Sequence, residues 1–507
     1  MGVRREKLTM KNEWLTAMLA TWIFGLLAHA YRFFNFLPIW DSMHNFVGTG
    51  ATYSSGRWFL DFAGKISTDY DMPWVNGALS LFYIGIVVIL LTDLFELKSK
   101  WSICLTAALV VTFPTVTSTF TYMFTADGYM LAFLLSVLGI YLTEKYRFGF
   151  LPGMAAICLS MSIYQAYLSA SLMVVLAVCV KYLLVDEKDI WYVIKQEYKQ
   201  GIAVVGGAAL NKALTTIINH FMGVALVAYQ GINDVHLLTI EDSIKAIDKV
   251  NLWFRMFFQI GEQAKSDGYS LLNQVVFGLI IVMTVYFIVR KQLYKRPLSV
   301  LCIAVLYGCA PVLAYIIRFV SMEVSYHTLM VMCLCVVYIL LVICLEHMTG
   351  EEKLGKVLKI SVMIVLCGVV YWNTLNANYC YFNMNLSYEK SYAVSLDVLE
   401  RVEELPEFDG TMKVAIVGEF SHGTEELKEE VPEIAGAGND VFLRSPEHYF
   451  AMWNYCMGRN YTAASEDEIE TLKVSSVYKE MNAYPYAGCV DVIDDIVVVK
   501  LSKEEIN

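Results

Sequence analysis

The composition of this chain is that of a membrane protein. Of its 507 residues, 57% are hydrophobic and only 17% are charged, whereas roughly 25% of the residues in an average soluble domain are charged. The formal net charge is −11, and no basic stripe with interleaved aromatic residues occurs, so nucleic acid is excluded as an expected partner. Most apolar residues fall in repeated blocks of about 20, the length that a helix needs to cross a bilayer. A soluble globular enzyme is therefore excluded.

The apolar blocks predict about eleven transmembrane helices. They cover residues 14–36, 74–95, 101–120, 127–142, 148–163, 167–184, 201–227, 271–289, 298–317, 326–345 and 357–375. Within 148–184, either two short helices meet near Tyr164-Gln165-Ala166, or one long bent helix is formed. The second arrangement would invert the orientation of everything that follows. With eleven crossings, the two termini lie on opposite sides of the membrane.

The distribution of lysine and arginine predicts the orientation. The first block is preceded by Arg4, Arg5, Lys7 and Lys11. Later cations fall in the connections that the same alternation places in the cytoplasm: Lys98, Lys100, Lys145, Arg147, Lys188, Lys195, Lys199, Arg290, Lys291, Lys295, Arg296, Lys353 and Lys356. Because cytoplasmic loops carry an excess of these residues, we expect a multi-pass protein of the plasma membrane with a cytoplasmic N-terminus and an extracytoplasmic C-terminal domain.

Two long loops and an acidic tail complete the predicted organisation. The outward loops cover residues 37–73 and 228–270, and the second contains an amphipathic segment, 240–260, of the kind that lies on a membrane surface. The segment 391–507 has 24 acidic and 9 basic residues. We therefore predict an all-α polytopic transmembrane domain over residues 1–377 and a small soluble α/β domain over residues 378–507.

Short apolar runs indicate the structure of the tail. Residues 413–417 and 495–499 are typical of buried strands, and residues 395–405 and 466–472 of helices. The tail also contains Cys456 and Cys489, and the sequence leaves open whether these form a disulfide.

The first outward loop carries the densest group of candidate site residues. Ionisable groups beside the ends of membrane helices are costly to hold and are functional candidates by default. Asp41 follows Trp40 near the point where the first helix emerges, with His44 three residues later. A carboxylate there can act as a general base toward a sugar hydroxyl, or it can cap a short helix by accepting from the amide of Met43 or His44.

Three arginines are candidates for binding a phosphate, because the guanidinium fork matches phosphate geometry. Arg57 is followed by Trp58, and this pair fits either a phosphate site or an anchor at the lipid interface. Arg32 lies at the outer end of the first helix, where the alternative is that its side chain reaches the lipid headgroups. Arg318 lies in a later outward loop, where a salt bridge to Glu323 is the alternative.

A second acidic position, Asp127, begins the fourth predicted helix on the same side of the membrane as Asp41. It is either an auxiliary catalytic group or a helix cap. Tyr129 follows it closely, and Tyr164 and Gln165 are expected on the same side. With Trp40, His44 and Trp58, these residues form the predicted substrate cleft.

The motifs Trp40-Asp41-Ser42, Ser55-Gly56-Arg57-Trp58, Ala126-Asp127-Gly128-Tyr129 and Ile163-Tyr164-Gln165-Ala166 resemble those of the GtrII glucosyl transferase family. This family falls within the GT-C class of membrane glycosyltransferases and is associated with O-antigen and cell-wall glycans in bacteria. The resemblance implies a polyprenyl-phosphate-linked sugar as donor and a cell-surface glycan as acceptor. It also implies that Asp41 is the general base.

Some relatives have a paired acidic motif in the first loop, but here Ser42 follows Asp41. No cofactor is therefore certain, and a divalent cation such as Mg²⁺ or Mn²⁺ is left open. The expected function is transfer of a hexose, with glucose the expected sugar, by inverting displacement. The alternative is a transporter or flippase for a glycan precursor, which would need polar residues near mid-membrane.

Overall fold

The computed structural model describes residues 11–502, apart from 47, 49, 69, 229–230, 232–238, 349–351 and 424–432. The predicted cytoplasmic cations Arg4, Arg5 and Lys7 lie outside the described residues. The chain divides into two compact units. The first, called the helical unit here, comprises Met1–Asn35, Gly48–Asn378 and Glu430–Ala435. The second, called the sheet unit, comprises Phe36–Val47, Tyr379–Glu429 and Gly436–Asn507.

The described residues form the following α-helices: α1 Asn12–Phe34, α2 Trp40–His44, α3 Trp58–Gly64, α4 Pro73–Leu94, α5 Lys100–Val111, α6 Pro114–Thr121, α7 Met123–Lys145, α8 Phe150–Ile163, α9 Leu168–Val180, α10 Ile190–Met222, α11 Ile240–Phe258, α12 Gly268–Arg290, α13 Pro297–Ala314, α14 Cys335–His347, α15 Lys353–Glu403, α16 Pro446–Met457, α17 Glu466–Val474 and α18 Ser476–Glu480. The strands are β1 Lys413–Val417, β2 Val490–Ile493 and β3 Ile496–Lys500.

Each predicted apolar block overlaps a helix or a pair of helices, and the chain is a polytopic membrane protein of mostly helical structure. Among the described residues, eight helical segments are long and apolar enough to cross a membrane, and nine if α5 and α6 form one bent span. The helix α8 and the segment Met332–His347 are apolar but shorter. The predicted number of about eleven crossings therefore stays a prediction, because two of the blocks form helices below the usual spanning length.

Helical structure is interrupted between α5 and α6 and between α8 and α9. Pro114 lacks an N–H and cannot continue α5, so α6 starts there and the pair is bent by 40°. At Tyr164 the backbone is extended, with φ −155° and ψ 113°, so α8 and α9 are separate helices rather than one continuous helix. A 3₁₀ turn, Gln165–Tyr167, joins them.

The amphipathic segment predicted at 240–260 forms α11, whose N-cap Thr239 accepts from the amide of Asp242. Its apolar side chains Ala246, Val250, Phe254 and Phe257 are buried. The spacing of these four residues places them on one face, as expected for an amphipathic helix.

The sheet unit contains a three-stranded sheet in the order β1-β3-β2, with β1 parallel and β2 antiparallel to β3. Both strands predicted in the tail are confirmed, the second shifted by one residue. Alternate residues of β3 belong to two different apolar clusters. Val497 and Val499 lie in one cluster, and Val498 lies in the other. Both faces of the sheet are therefore covered, as the period of two along a strand requires. Cys456 and Cys489 are free thiols.

The residues that directly follow α1 belong to the sheet unit. Met43 of α2 is 3% exposed and lies in the same apolar cluster as Leu443, Trp453 and Val497. The predicted domain division had assigned this segment to the membrane domain. The difference arises because the buried face of α2 packs against residues some 400 positions later in the chain, a contact that local sequence patterns do not encode.

Candidate functional site

A tight turn before Arg57 is held by three separate parts of the helical unit. The side-chain amide of Asn219 donates to the carbonyl of Tyr53 at 3.0 Å, and the backbone N–H of Val227 donates to that of Ser54 at 3.0 Å. Gln165 Nε2 lies 3.0 Å from the carbonyl oxygen of Ser55 and 3.4 Å from that of Gly56. Four consecutive carbonyls are thus engaged, and this set of contacts is called the turn clamp below.

Gly56 is required at the end of this turn. Its backbone has φ +67°, a conformation that residues with a Cβ rarely adopt. A Cβ at this position would also lie 3.3 Å from Gln165 Nε2 and 3.4 Å from the methyl carbon of Thr215. The turn and the residues that clamp it are therefore closely fitted, and they fix where the chain delivers Arg57.

The guanidinium of Arg57 is held by two tyrosines. Its Nη1 donates to the hydroxyl of Tyr129 at 3.2 Å, and its central carbon lies 4.8 Å from the centroid of the Tyr164 ring. The two tyrosine rings are stacked, with centroids 4.5 Å apart and planes within 2° of each other. Both tyrosines are buried, at 4% and 5% exposure. This arrangement supports a cation from one side by aromatic faces.

Two further polar groups belong to the surroundings of Arg57. His327 lies within electrostatic range of the guanidinium, and its buried Nδ1 has no hydrogen-bond partner among the described residues. The same residues offer no acceptor to the buried indole N–H of Trp58. Buried polar atoms of this kind are rare in folded proteins and are candidates for contact with a ligand.

Arg32 is fully buried in the helical unit, next to Asp71. Its Nη2 lies 3.8 Å from a carboxylate oxygen of Asp71, and the two side chains are 0% and 1% exposed. Its Nε donates to the carbonyl of Phe120 at 2.8 Å, and Nη1 to that of Asn35 at 3.1 Å. The alternative that the side chain reaches the lipid headgroups is wrong, because the guanidinium points into the protein and holds the end of α1 against α6.

Asp127 lies in the fifth position of α7 and is 1% exposed. Neither carboxylate oxygen accepts a hydrogen bond of normal geometry from the described residues. The nearby hydroxyl of Ser67 donates to the carbonyl of Gly64 at 2.9 Å instead. The alternative that Asp127 caps the helix is wrong, because α7 begins four residues earlier, at Met123.

Arg318 lies apart from these groups in its contacts. Its guanidinium donates to the carbonyls of Met322 and Val324 and lies 5.6 Å from the centroid of the Trp253 ring. No ion pair with Glu323 is formed in the described part of the chain. The Arg318 side chain therefore stabilises the loop in which it lies.

The surroundings of Asp41 lie within the sheet unit. Asp41 is the second residue of α2, whose N-cap is Ile39, so the alternative that Asp41 caps this helix is wrong. Ile39 and Met43 are buried at 2% and 3% exposure and anchor the short helix. The half-buried position of Asp41 raises the pKa of its carboxyl, while the charges of His44 and Arg444 and a hydrogen bond from Trp40 act in the opposite direction.

Residues 444–448 face α2 within the same unit. The guanidinium of Arg444 lies 4.3 Å from the centroid of the Trp40 ring, and the rings of His44 and His448 meet edge to face at 4.5 Å. Burial lowers the pKa of His448 to about 4, with the charges of His44 and Arg444 acting in the same direction.

The structure brings together two sets of the predicted site residues. Arg57, Tyr129, Tyr164 and Gln165 are brought together in the helical unit, and Trp40, Asp41 and His44 in the sheet unit. Sequence reasoning assigned no role to Asn219, Asp71, Arg444 or His448. The signal for Asn219 was present, because Asn211, Thr215 and Asn219 recur every four residues in an apolar block, which puts them on one helix face.

The described residues contain no group of three or more His, Cys, Asp or Glu side chains that could hold a metal ion.

Comparison with known proteins gives one match. The family model described as Glucosyl transferase GtrII matches residues 30–372. This range is more than half of the chain and includes α2, the turn clamp and the residues around Arg57, whereas Arg444 and His448 lie outside it. No curated protein and no solved structure matches.

Proposed function

This chain belongs to the GtrII glucosyl transferase family and is a glycosyltransferase, and from this premise we propose that it moves glucose from a polyprenyl-phosphate donor to a cell-surface glycan. The donor's lipid lies in the bilayer and its sugar at the outer surface. The acceptor is a hydroxyl of an extracytoplasmic polysaccharide.

The surroundings of Arg57 support the donor phosphate site. Transfer releases a phosphate anion, and a guanidinium held in advance stabilises such a charge strongly where water is excluded. Arg57 is held by Tyr129 and Tyr164 and delivered by a clamped turn. Trp58, Tyr129, Tyr164 and Gln165 are the residues proposed to surround the donor. Arg32 and Arg318 are weaker candidates, because their guanidinium groups are committed to carbonyls and, for Arg32, to Asp71.

Asp41 is the proposed general base. The acceptor oxygen forms a bond to the anomeric carbon as the bond from that carbon to the phosphate oxygen breaks. The hydroxyl proton passes to the Asp41 carboxylate, and the phosphate leaves with the bonding electrons. A base works best when its pKa lies near the operating pH, and partial burial moves that of Asp41 upward. One displacement inverts the configuration, and Asp127 acts as an auxiliary group.

The orientation follows the distribution of lysine and arginine: a plasma-membrane protein with a cytoplasmic N-terminus and the site on the outer side. Residues 378–507 then form an extracytoplasmic domain. Trp40 and His44, which accompany Asp41 in α2, are proposed to contact the acceptor.

The family match carries this proposal, and a donor panel tests it. Purified full-length protein is given polyprenyl-phosphate-linked glucose, mannose or galactose with a glycan acceptor, and release of polyprenyl phosphate is measured together with sugar transfer. We expect both for the glucose donor, and neither from Asp41→Asn. Movement of the donor across vesicles without its cleavage would instead establish the transporter alternative.

A further inference from the structure

We propose that Arg444, in the part of the chain beyond the family match, is a positioning residue that keeps the Asp41 carboxylate charged and ready to accept a proton. The inference rests on the proposed role of Asp41 as the base. It gives the C-terminal segment a part in the chemistry, rather than only in stability or recognition.

Arg444 contacts Trp40, the residue before Asp41. The guanidinium lies 4.3 Å from the centroid of the Trp40 ring, close enough for a cation–π interaction. Arg444 is exposed, and its side chain forms no ion pair or hydrogen bond with other described residues. Within the described residues its charge is therefore not paired with a carboxylate, and the indole holds it beside α2.

The backbone of Arg444 is itself fixed by hydrogen bonds. The N–H groups of Arg444 and Ser445 both donate to Nδ1 of His448, at 2.9 and 3.2 Å. His448 is 3% exposed, and its ring packs edge to face on that of His44 in α2. These two hydrogen bonds fix the turn before α16, and the contact between the rings of His448 and His44 joins it to α2, the helix that carries Asp41.

Two charged side chains act on Asp41: His44 of α2 and Arg444 of the 444–448 segment. Glu447 and His448 of the same segment are neighbours of His44. Tyr388 and Tyr392 of α15 pack on the same apolar cluster. His448 is neutral at pH 7 because burial lowers its pKa to about 4. Arg444 is therefore the permanent cation of this group, since arginine does not lose its proton in proteins.

Two opposing effects therefore act on the protonation of the Asp41 carboxyl. Partial burial favours the protonated acid, which cannot act as a base, and the charges of His44 and Arg444 favour the carboxylate. Removing that charge should leave Asp41 protonated over a wider pH range, so activity is lost first at low pH and recovers as the pH rises.

The test is the pH dependence of glucose transfer by full-length protein reconstituted in lipid. For Arg444→Gln, the acidic limb of the pH profile should move to higher pH by about half a unit, which corresponds to about a threefold loss of activity along that limb. Arg444→Lys, which keeps the charge, should stay close to wild type, and the KM for the donor should be unchanged. The matched control is Arg459→Gln, which removes an arginine of the same unit that pairs with Glu403 at 2.7 Å.

Trp40→Leu, compared with Trp40→Phe, gives a second check: both variants remove the indole N–H that donates to Asp41, but only Trp40→Leu removes the aromatic face beneath the guanidinium. The profile of Trp40→Leu should lie at higher pH than that of Trp40→Phe, which covers the case in which Arg444→Gln does not fold. A wild-type profile in Arg444→Gln would overturn the inference while Asp41→Asn remains inactive. If Arg444→Gln is unstable, identical profiles in Trp40→Leu and Trp40→Phe would overturn it. Full activity in Asp41→Asn would overturn the proposed function and this inference together.

Discussion

Asn219 of α10 donates its side-chain amide to the carbonyl of Tyr53 at 3.0 Å, across 166 positions of sequence. The contact joins a membrane helix to the turn that delivers Arg57. It gives a hydrogen-bond partner to a polar side chain that is only 6% exposed in an apolar helix. A buried hydrogen bond to a backbone carbonyl contributes about 1 kcal/mol net, but leaving that carbonyl without a donor costs about 1–3 kcal/mol.

We therefore predict that Asn219→Ala raises the KM for the donor or lowers kcat by about tenfold, because the turn loses one of its holding contacts. Thr216→Ala is the control: Thr216 is exposed on the same helix and donates only to the carbonyl of Lys212. Steady-state kinetics of both variants measure the effect. Equal activity in the two would mean that the turn does not need its clamp.

Arg57→Lys should lose most transfer activity while the protein still inserts and purifies normally. Lysine cannot reproduce the bidentate contact of a guanidinium with phosphate, and it would not stack on Tyr164 in the same way. Donor binding and turnover are the measurements, with Arg318→Lys as the comparison. Near-native turnover in Arg57→Lys would reduce Arg57 to an interfacial anchor.

Asp41→Asn should reduce transfer by about 10²–10⁴-fold, the usual contribution of a general base, while donor binding persists. In the wild type, a raised pKa means that Asp41 is protonated, and inactive, up to a higher pH than an ordinary aspartate. The rate should therefore fall as the pH decreases through that pKa.

Asp127→Asn should reduce the transfer rate by a smaller factor than Asp41→Asn does. If Asp127→Asn were folded but inactive and Asp41→Asn near native, Asp127 would be the base.

The pair Arg32–Asp71 gives a prediction about stability. Removing one partner leaves a buried charge uncompensated, so Arg32→Met and Asp71→Leu should each destabilise the protein by about 3–5 kcal/mol, whereas the double variant should recover much of the loss. Thermal unfolding in detergent measures this. Single variants as stable as wild type would argue against a structural pair, and a stable double variant with a raised donor KM would return Arg32 to the list of phosphate ligands.

Membrane orientation is tested by labelling. Introduced cysteines at Ser99 and Ser421, each in a background without other reactive thiols, are exposed to an impermeant reagent on intact cells. We expect labelling of Ser421→Cys only, because the cation distribution places the tail outside. Labelling of Ser99→Cys alone would reverse the orientation.

The sequence determined the features that local chemistry fixes. Apolar blocks of membrane-spanning length specify helices wherever they occur, and Pro114 sets the break between α5 and α6 through its own missing N–H. Val497 to Val499 form a strand because the β-branched run suits one. The motifs around Trp40, Arg57, Asp127 and Tyr164 were sufficient to indicate the family that the match confirms.

Only the tertiary structure decided which of these residues meet. Arg32 was expected to face phosphate or headgroups, but folding buries it beside Asp71, some 40 positions later in the chain. Asp41 lies in a segment whose neighbours in space, Arg444 and His448, are about 400 residues away in sequence. Such contacts depend on how apolar surfaces pack across the whole chain. Such packing cannot be predicted from a single sequence, because local patterns relate each residue only to its neighbours along the chain.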